Sequence, residues 1–225
     1  MTDTAPDQLR DAATIVLLRH DMAQGPSVLM GQRGANAAFM PSKYVFPGGA
    51  IDPADSHVTF ASSLGPQTAH RLTCDAAPGL GSALAAAAIR ETWEETGLAI
   101  ATAAPPKNHG WASFTRDGLA PCAGALTFIF RAITPYGRPR RFDARFFLVD
   151  STSVHGDLDD FSRAGSELSH IHWVPLARTR QLDLPFVTEI VLAEVAHHLA
   201  SPHTADHGTP FFDNRTARGI VTRLI

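Results

Sequence analysis

Three glutamates, Glu91, Glu94 and Glu95, close an Ala-rich run just before Gly97. On a helix the spacing i, i+3, i+4 gathers their carboxylates on one face within a single turn. Ile89 and Trp93, four residues apart, point the opposite way. Such an acidic face is unfavourable by itself. Like charges at i, i+4 cost roughly 0.2–0.5 kcal/mol per pair, and anions at a helix C-terminus add roughly 0.3–1 kcal/mol each. Arg90, one turn before Glu94, holds part of the charge, but one guanidinium cannot neutralise three carboxylates. A hard divalent cation can, and Mg2+ characteristically takes one or two carboxylates, waters and phosphate oxygens. The helix therefore points to phosphate chemistry. Read alone, it fits a solvated acidic face with an i, i+4 salt bridge equally well.

The elements that must position these acids follow from pattern. The segment SALAAAAIRETWEET predicts a helix from Ser82 as N-cap to Thr96, with Gly97 as its C′ residue. Ala13 to Arg19 and Val28 to Arg33 predict a hairpin, with Val28 and Met30 on one face and Leu29 on the other. Tyr44 to Phe46 predict a short strand running into Pro47, Gly48 and Gly49, a loop whose backbone can approach a ligand closely. Ser56 to Gly81 hold two weakly helical stretches, near Val58 to Ser63 and Pro66 to Thr73, and are expected as an inserted helical cap. Strands are expected over Ala125 to Ile133, Arg145 to Val149 and His170 to Val174, a helix over Leu184 to Leu199, and a last strand in FFDNRTARGIVTRLI.

The 225 residues, 44% hydrophobic and 18% charged, suit one globular domain. A net charge of −3 gives no general attraction to nucleic acid or an anionic membrane. No apolar run approaches the roughly 20 residues that span a bilayer, and the polar start MTDTAPDQLRDAA is unlike a signal peptide, so a cytoplasmic location is expected. Cys74 and Cys122 have no zinc or disulfide spacing.

The two motifs combine into a longer pattern. GGAIDPADS followed by RETWEETGL resembles the Nudix box, in which a glycine, five residues, a glutamate and seven residues precede Arg-Glu, an aliphatic residue, any residue, Glu-Glu, any residue, glycine and an aliphatic residue. Gly49 is the opening glycine, and Arg90, Glu91, Glu94, Glu95, Gly97 and Leu98 fill the second half. Asp55 stands at the first glutamate, Thr92 at the aliphatic position, and about 27 extra residues separate the halves. VLMGQR, AFMPSKYVFPGGAIDPAD, AAIRETWEETGL and RRFDARFF resemble the branch that contains the peroxisomal coenzyme A diphosphatases.

The resemblance implies an α/β/α sandwich of Nudix type, with a mixed central sheet and an inserted helical cap. It implies metal-assisted hydrolysis in which Glu94 and Glu95 bind Mg2+ or Mn2+, Glu91 ligates the metal or orients its water, the Gly48 carbonyl completes the shell, and Arg90 orients the carboxylates. Glu167 is the candidate for an extra ligand or general base from a later loop, with an exposed loop glutamate as the alternative. Arg33, Lys43, Arg138, Arg140 and Arg141 are candidates for substrate phosphates, since guanidinium forks suit phosphate oxygens; for Arg140 and Arg141 a solvated surface charge is the favoured alternative. His170 and His172 share a strand face but lack a third ligand. The expected partner is a small-molecule nucleotide, coenzyme A or acyl-coenzyme A first, then ADP-ribose, NADH, dinucleoside polyphosphates or capped RNA. Neither nucleic acid nor membrane is expected, and a homodimer is the assembly to look for. The other class is a non-catalytic nucleotide-binding module; an isomerase on the same fold would need an extra Cys and Glu pair that is not seen.

Overall fold

The computed structural model describes residues 9–104, 111–112, 114, 117–201 and 207–225. The strands are β1 (Leu9–Asp21), β2 (Gly25–Arg33), β3 (Tyr44–Val45), β4 (Gly48–Ala50), β5 (Ala99–Ala103), β6 (Leu119–Pro121), β7 (Thr127–Ile133), β8 (Arg141–Asp150), β9 (Val154–His155), β10 (Leu168–Pro175), β11 (Thr209–Asp213) and β12 (Ile220–Leu224). The helices used below are α1 (Pro66–Leu72), α2 (Leu80–Thr96) and α3 (Phe186–Ala200). The central sheet runs β10-β2-β1-β8-β7-β11-β12, with β3 added to β2 and β4 to β1. Its β1–β8 and β7–β11 pairs are parallel and the rest antiparallel, so the sheet is mixed as expected.

Alternation along β1 sets the layers, because successive side chains leave a strand on opposite faces. Ile15 and Leu17 join Leu29, Phe147 and the helix residues Leu84 and Ile89 in one core. Val16 and Leu18 join Val28, Met30, Leu148 and the α3 residues Val191 and Val195 in the other. The predicted split of Val28 and Met30 from Leu29 is observed. A three-stranded sheet, β6-β5-β9, lies on the α2 side, where Ile100 and Leu119 enter the first core.

Three expectations need correction. Helix α2 starts at Leu80, with Gly79 in a left-handed conformation (φ +79) as N-cap, so Ser82 lies inside it; a residue without Cβ takes that conformation at no steric cost. The C-terminal segment forms a hairpin of two strands, β11 and β12, instead of one. Residues 56–81 contain one short helix, α1, while Ala61 donates its N–H to Pro121 O and Ser62 bridges Cys122. Thr68 Oγ1 donates to Leu126 O and accepts from Phe128 N, and Leu72 is 3% exposed within the α2-side core. Leu72 enters this core, and the half-buried Val58, Phe60 and Leu64 pack against it, so the segment is tied to the fold by its apolar side chains.

Truncating a buried leucine costs the lost transfer energy plus a cavity, about 2–5 kcal/mol. Leu72→Ala is expected to destabilise the chain by that amount in chemical denaturation. A loss under about 1 kcal/mol would show that the segment is only appended to the fold.

Candidate active site

Helix α2 lies against β1 and β4 because its Ala-rich face has no bulk to hold them apart: Ala85 to Ala88 are fully buried. Thr92, at the position where an aliphatic residue was expected, is buried too, with Oγ1 donating to Ala88 O at 2.8 Å. Thr96 repeats the device on Thr92 O. Hydroxyl groups that bond back to the preceding turn leave no polar atom orphaned in the core.

This packing brings the acidic end of α2 onto the glycine loop. Gly48 donates its N–H to Glu95 Oε2 at 2.8 Å. A Cβ at Gly48 would lie 2.5 Å from Ala13 O, and one at Gly49 would lie 2.4 Å from the Glu91 carboxyl carbon. At Gly48 the obstacle is backbone, so the position requires glycine for space; at Gly49 a side chain would displace the Glu91 carboxylate.

Arg90 organises the other side. Its Nε and Nη2 donate to the two oxygens of Asp55, each at 2.9 Å, and Nη2 also donates to Ala50 O. Nη1 donates to Glu91 at 2.8 Å and Glu94 at 3.1 Å. The Asp55 side chain is fully buried, and its Oδ2 also accepts from Asp52 N in a capping box over Pro53–His57. Asp55 thus occupies the position of the motif's first glutamate and anchors Arg90. The D-x-x-D pattern of a capping box was the available sign of a fixed acid at this position.

The electrostatics are strained toward the neutral state. Burial pushes the Glu95 carboxyl up to about 8, the Gly48 N–H and Arg33 oppose this, and Glu91 and Glu167 add to it. Burial also raises Glu91; Arg90 opposes this, while Glu94 and Glu167 reinforce it. The site therefore brings together Arg90, Glu91, Glu94, Glu95, Gly48 and, through their charges, Arg33 and Glu167. It does not gather every candidate. Lys43 is ion-paired with Asp183, and Arg138 and Arg140 are exposed in the turn between β7 and β8. Arg141 is buried, its guanidinium donating to Thr134 O and Asn214 O under Tyr136. A guanidinium committed to backbone carbonyls is not the surface charge expected there. His170 has φ +49 at a register shift in β10, so it and His172 do not share a regular strand face.

A model of the NUDIX domain matches residues 8–194. The chain belongs to the NUDIX family. It is 28% identical over 185 residues to a Caenorhabditis elegans protein named "Putative nudix hydrolase 7", a match that covers 73% of this chain. The chain spans about half (51%) of the length of that relative. A crystal structure of a NUDIX hydrolase from Alicyclobacillus acidocaldarius is 30% identical, with TM-score 0.65, over 85% of this chain and 93% of that one.

A Nudix site of this kind offers only hard oxygen donors. Arg90 is divided among three acids, Asp55, Glu91 and Glu94, while the buried Glu95 feels the charges of Glu91 and Glu167 against that of Arg33. Donor type and unbalanced charge fit a hard dication. Among the described residues no three His, Cys, Asp or Glu groups are already gathered as a metal cage. Arg90 spans Glu91 and Glu94, and the latter side chain is 55% exposed, with room to turn from the guanidinium.

The raised Glu95 carboxyl sets a sign for pH dependence. Between its ordinary value of 4.5 and about 8 the folded chain binds more protons than the unfolded one, so stability falls as pH rises through that window. In the presence of chelator, parent protein is expected to lose stability between pH 5 and pH 9 relative to Glu95→Gln, measured by urea denaturation. Parallel pH curves for the two proteins would rule out a buried, proton-holding Glu95.

Proposed function

We propose that this chain is a hydrolase, dependent on Mg2+ or Mn2+, that cleaves the diphosphate linkage of a nucleoside diphosphate derivative, with coenzyme A or acyl-coenzyme A as the favoured substrate. One observation carries the reading: the Gly48–Gly49 backbone is pressed onto Glu95 and Glu91, so the acids are buried where only a cation or a proton relieves them. Membership of the NUDIX family and the name of the nematode relative support hydrolysis. The resemblance of AFMPSKYVFPGGAIDPAD and RRFDARFF to the coenzyme A branch supports the substrate.

Glu91, Glu94 and Glu95 hold the cation, with the Gly48 carbonyl as a further oxygen. When bound, the cation neutralises diphosphate charge and makes water a better nucleophile. Arg90, fixed on Asp55, orients Glu91 and releases Glu94. Glu167 serves as an extra ligand or takes the proton of the attacking water. Arg33 receives a phosphate oxygen: its Nε is buried with no hydrogen-bond partner among the described residues, and its charge acts on Glu95. Lys43 and Arg140 are secondary candidates for the outer part of a nucleotide. Arg141, held by backbone carbonyls, contributes to the shape of the turn.

Incubation with coenzyme A, ADP-ribose and NADH, each with Mg2+ or Mn2+, tests the reading. Adenosine 3′,5′-bisphosphate is expected from coenzyme A, while AMP from the others would redirect the substrate assignment. Binding of all three without metal-dependent turnover would make the chain a nucleotide-binding module instead. Glu94→Gln and Glu95→Gln are each expected to lose at least about 100-fold in kcat with the fold retained, the scale on which a fixed charge-bearing group contributes. Gly49→Ala, whose new Cβ overlaps the Glu91 carboxyl, is expected to cost about tenfold or more, since misplacing a group by about 1 Å is that costly. Parent-like turnover in all three variants would remove the metal assignment.

A further inference from the structure

Glu167 is exposed, and among the described residues no hydrogen bond fixes its side chain, yet its charge acts on both Glu91 and Glu95. What holds it there is the chain just before it. Residues 156–167 leave β9 and cross the C-terminal end of α2 before entering β10 at Leu168, which pairs with Arg33. They form a strap with ties at several points. Leu158 O accepts from Trp173 Nε1 at 3.0 Å, and Asp159 accepts from Arg19 at 2.8 Å. Phe161 packs on the α2-side core and accepts from Ala164 N. The Arg163 guanidinium sits 4.4 Å from the centre of the Trp93 ring and donates to Asp117 at 2.6 Å.

The tie nearest Glu167 is made to the metal-binding helix itself. Gly165 donates its N–H to Glu94 O at 2.8 Å. That carbonyl is one of the last four of α2, which have no partner inside the helix. A Cβ on Gly165 would lie 2.6 Å from the same oxygen, so the approach exists only for glycine. One residue past the helix the fit is also tight, for a Cβ on Gly97 would lie 3.0 Å from Arg163 Cβ. Trp93 and Glu94, neighbours on the helix that carries the acids, thus hold Arg163 and Gly165.

We propose that Gly165 and Arg163 are positioning residues, which latch the strap onto the end of α2 and so hold Glu167, two residues beyond the Glu94 contact, beside the acidic end of that helix before any substrate arrives. The inference rests on the reading given above that Glu167 acts at this cluster. It adds that the acid's position is set by a backbone contact to Glu94, not by substrate or by Glu167's own bonds. A group held in place in advance needs no ordering during the reaction.

The test is a double-mutant cycle of Gly165→Ala with Glu167→Gln, read as kcat and KM at saturating Mg2+, with thermal unfolding measured alongside. Glu167→Gln is expected to lower kcat by about 100-fold, within the range for loss of a proton-transfer group. Gly165→Ala is expected to lower kcat about tenfold with KM little changed when Glu167 is present, and less than twofold when residue 167 is Gln. An equal factor on both backgrounds would mean that Gly165 acts on the fold at large and would overturn the proposal. So would parent-like kcat in Glu167→Gln or in a folded Gly165→Ala. Arg163→Met keeps the backbone contact and loses the ring stack; it carries the same cycle with a smaller factor, about threefold, and decides the matter if Gly165→Ala does not fold. If the parent hydrolyses no diphosphate compound, the proposed reaction fails, and the cycle is read as Mn2+ affinity by electron paramagnetic resonance. Non-additive losses there keep the latch, whereas additive losses or no Mn2+ binding discard it.

Discussion

The close approach between the Gly48–Gly49 backbone and the acidic end of α2 is the constraint on which the rest of the structure depends. An amide donates to Glu95 while the next residue lies against Glu91; a methyl group would collide with backbone at the first and displace the carboxylate at the second. The helix can come so near because four fully buried residues in its middle, Ala85 to Ala88, carry only a methyl group each. A leucine face would fill the core as well but would hold the helix axis farther from the sheet. Small residues on α2 and absent side chains on the loop are therefore two halves of one requirement, and they lie some forty residues apart in the chain.

Charge balance follows from that approach. Once Glu91 and Glu95 are withdrawn from water, their negative charge must be held by groups that are themselves fixed. Arg90 meets this need because Asp55 grips it from below with both oxygens, leaving a single nitrogen for Glu91 and Glu94. Asp55 in turn is held by the turn that follows the glycine loop. The result is a closed circuit of loop, turn, arginine and acids in which the carboxylates stay undercompensated.

Features that depend on near neighbours in sequence were legible before the structure. The helix carrying the acids, the first hairpin, the division of Val28 and Met30 from Leu29, and the helix after Pro185 all follow from periodicity and turn chemistry. Gathering of the glycine loop with Glu91 and Glu95 followed from the motif. Features that depend on distant partners were not legible. Nothing local to Asp55 names Arg90 as its partner, nothing in Gly165 announces the carbonyl of Glu94, and the weak helical signal of Val58 to Ser63 yields to pairing with Pro121 and Cys122. Gly79 as the cap of α2 was hidden because Ser82 offers a stronger local signal than a glycine whose left-handed backbone is visible only in three dimensions. Arg141 misled for the same reason: a charged residue in an arginine-rich turn reads as solvated until the carbonyls that cover it are seen.

Strand β1 has a further property. Along one edge it pairs with β8 from Leu9 to Leu18, while its other edge is shared, β4 taking Ala12 to Thr14 and β2 taking Leu18 to Asp21. The stretch that seats the glycine loop is thus continuous with the stretch whose alternate residues fill both cores. Slippage by a single residue would turn Ile15 and Leu17 out of one core and, in the same motion, draw Gly48 away from Glu95. Chemical competence and hydrophobic alignment are consequently read from one ruler, so a misregistered sheet could not keep an assembled acidic centre.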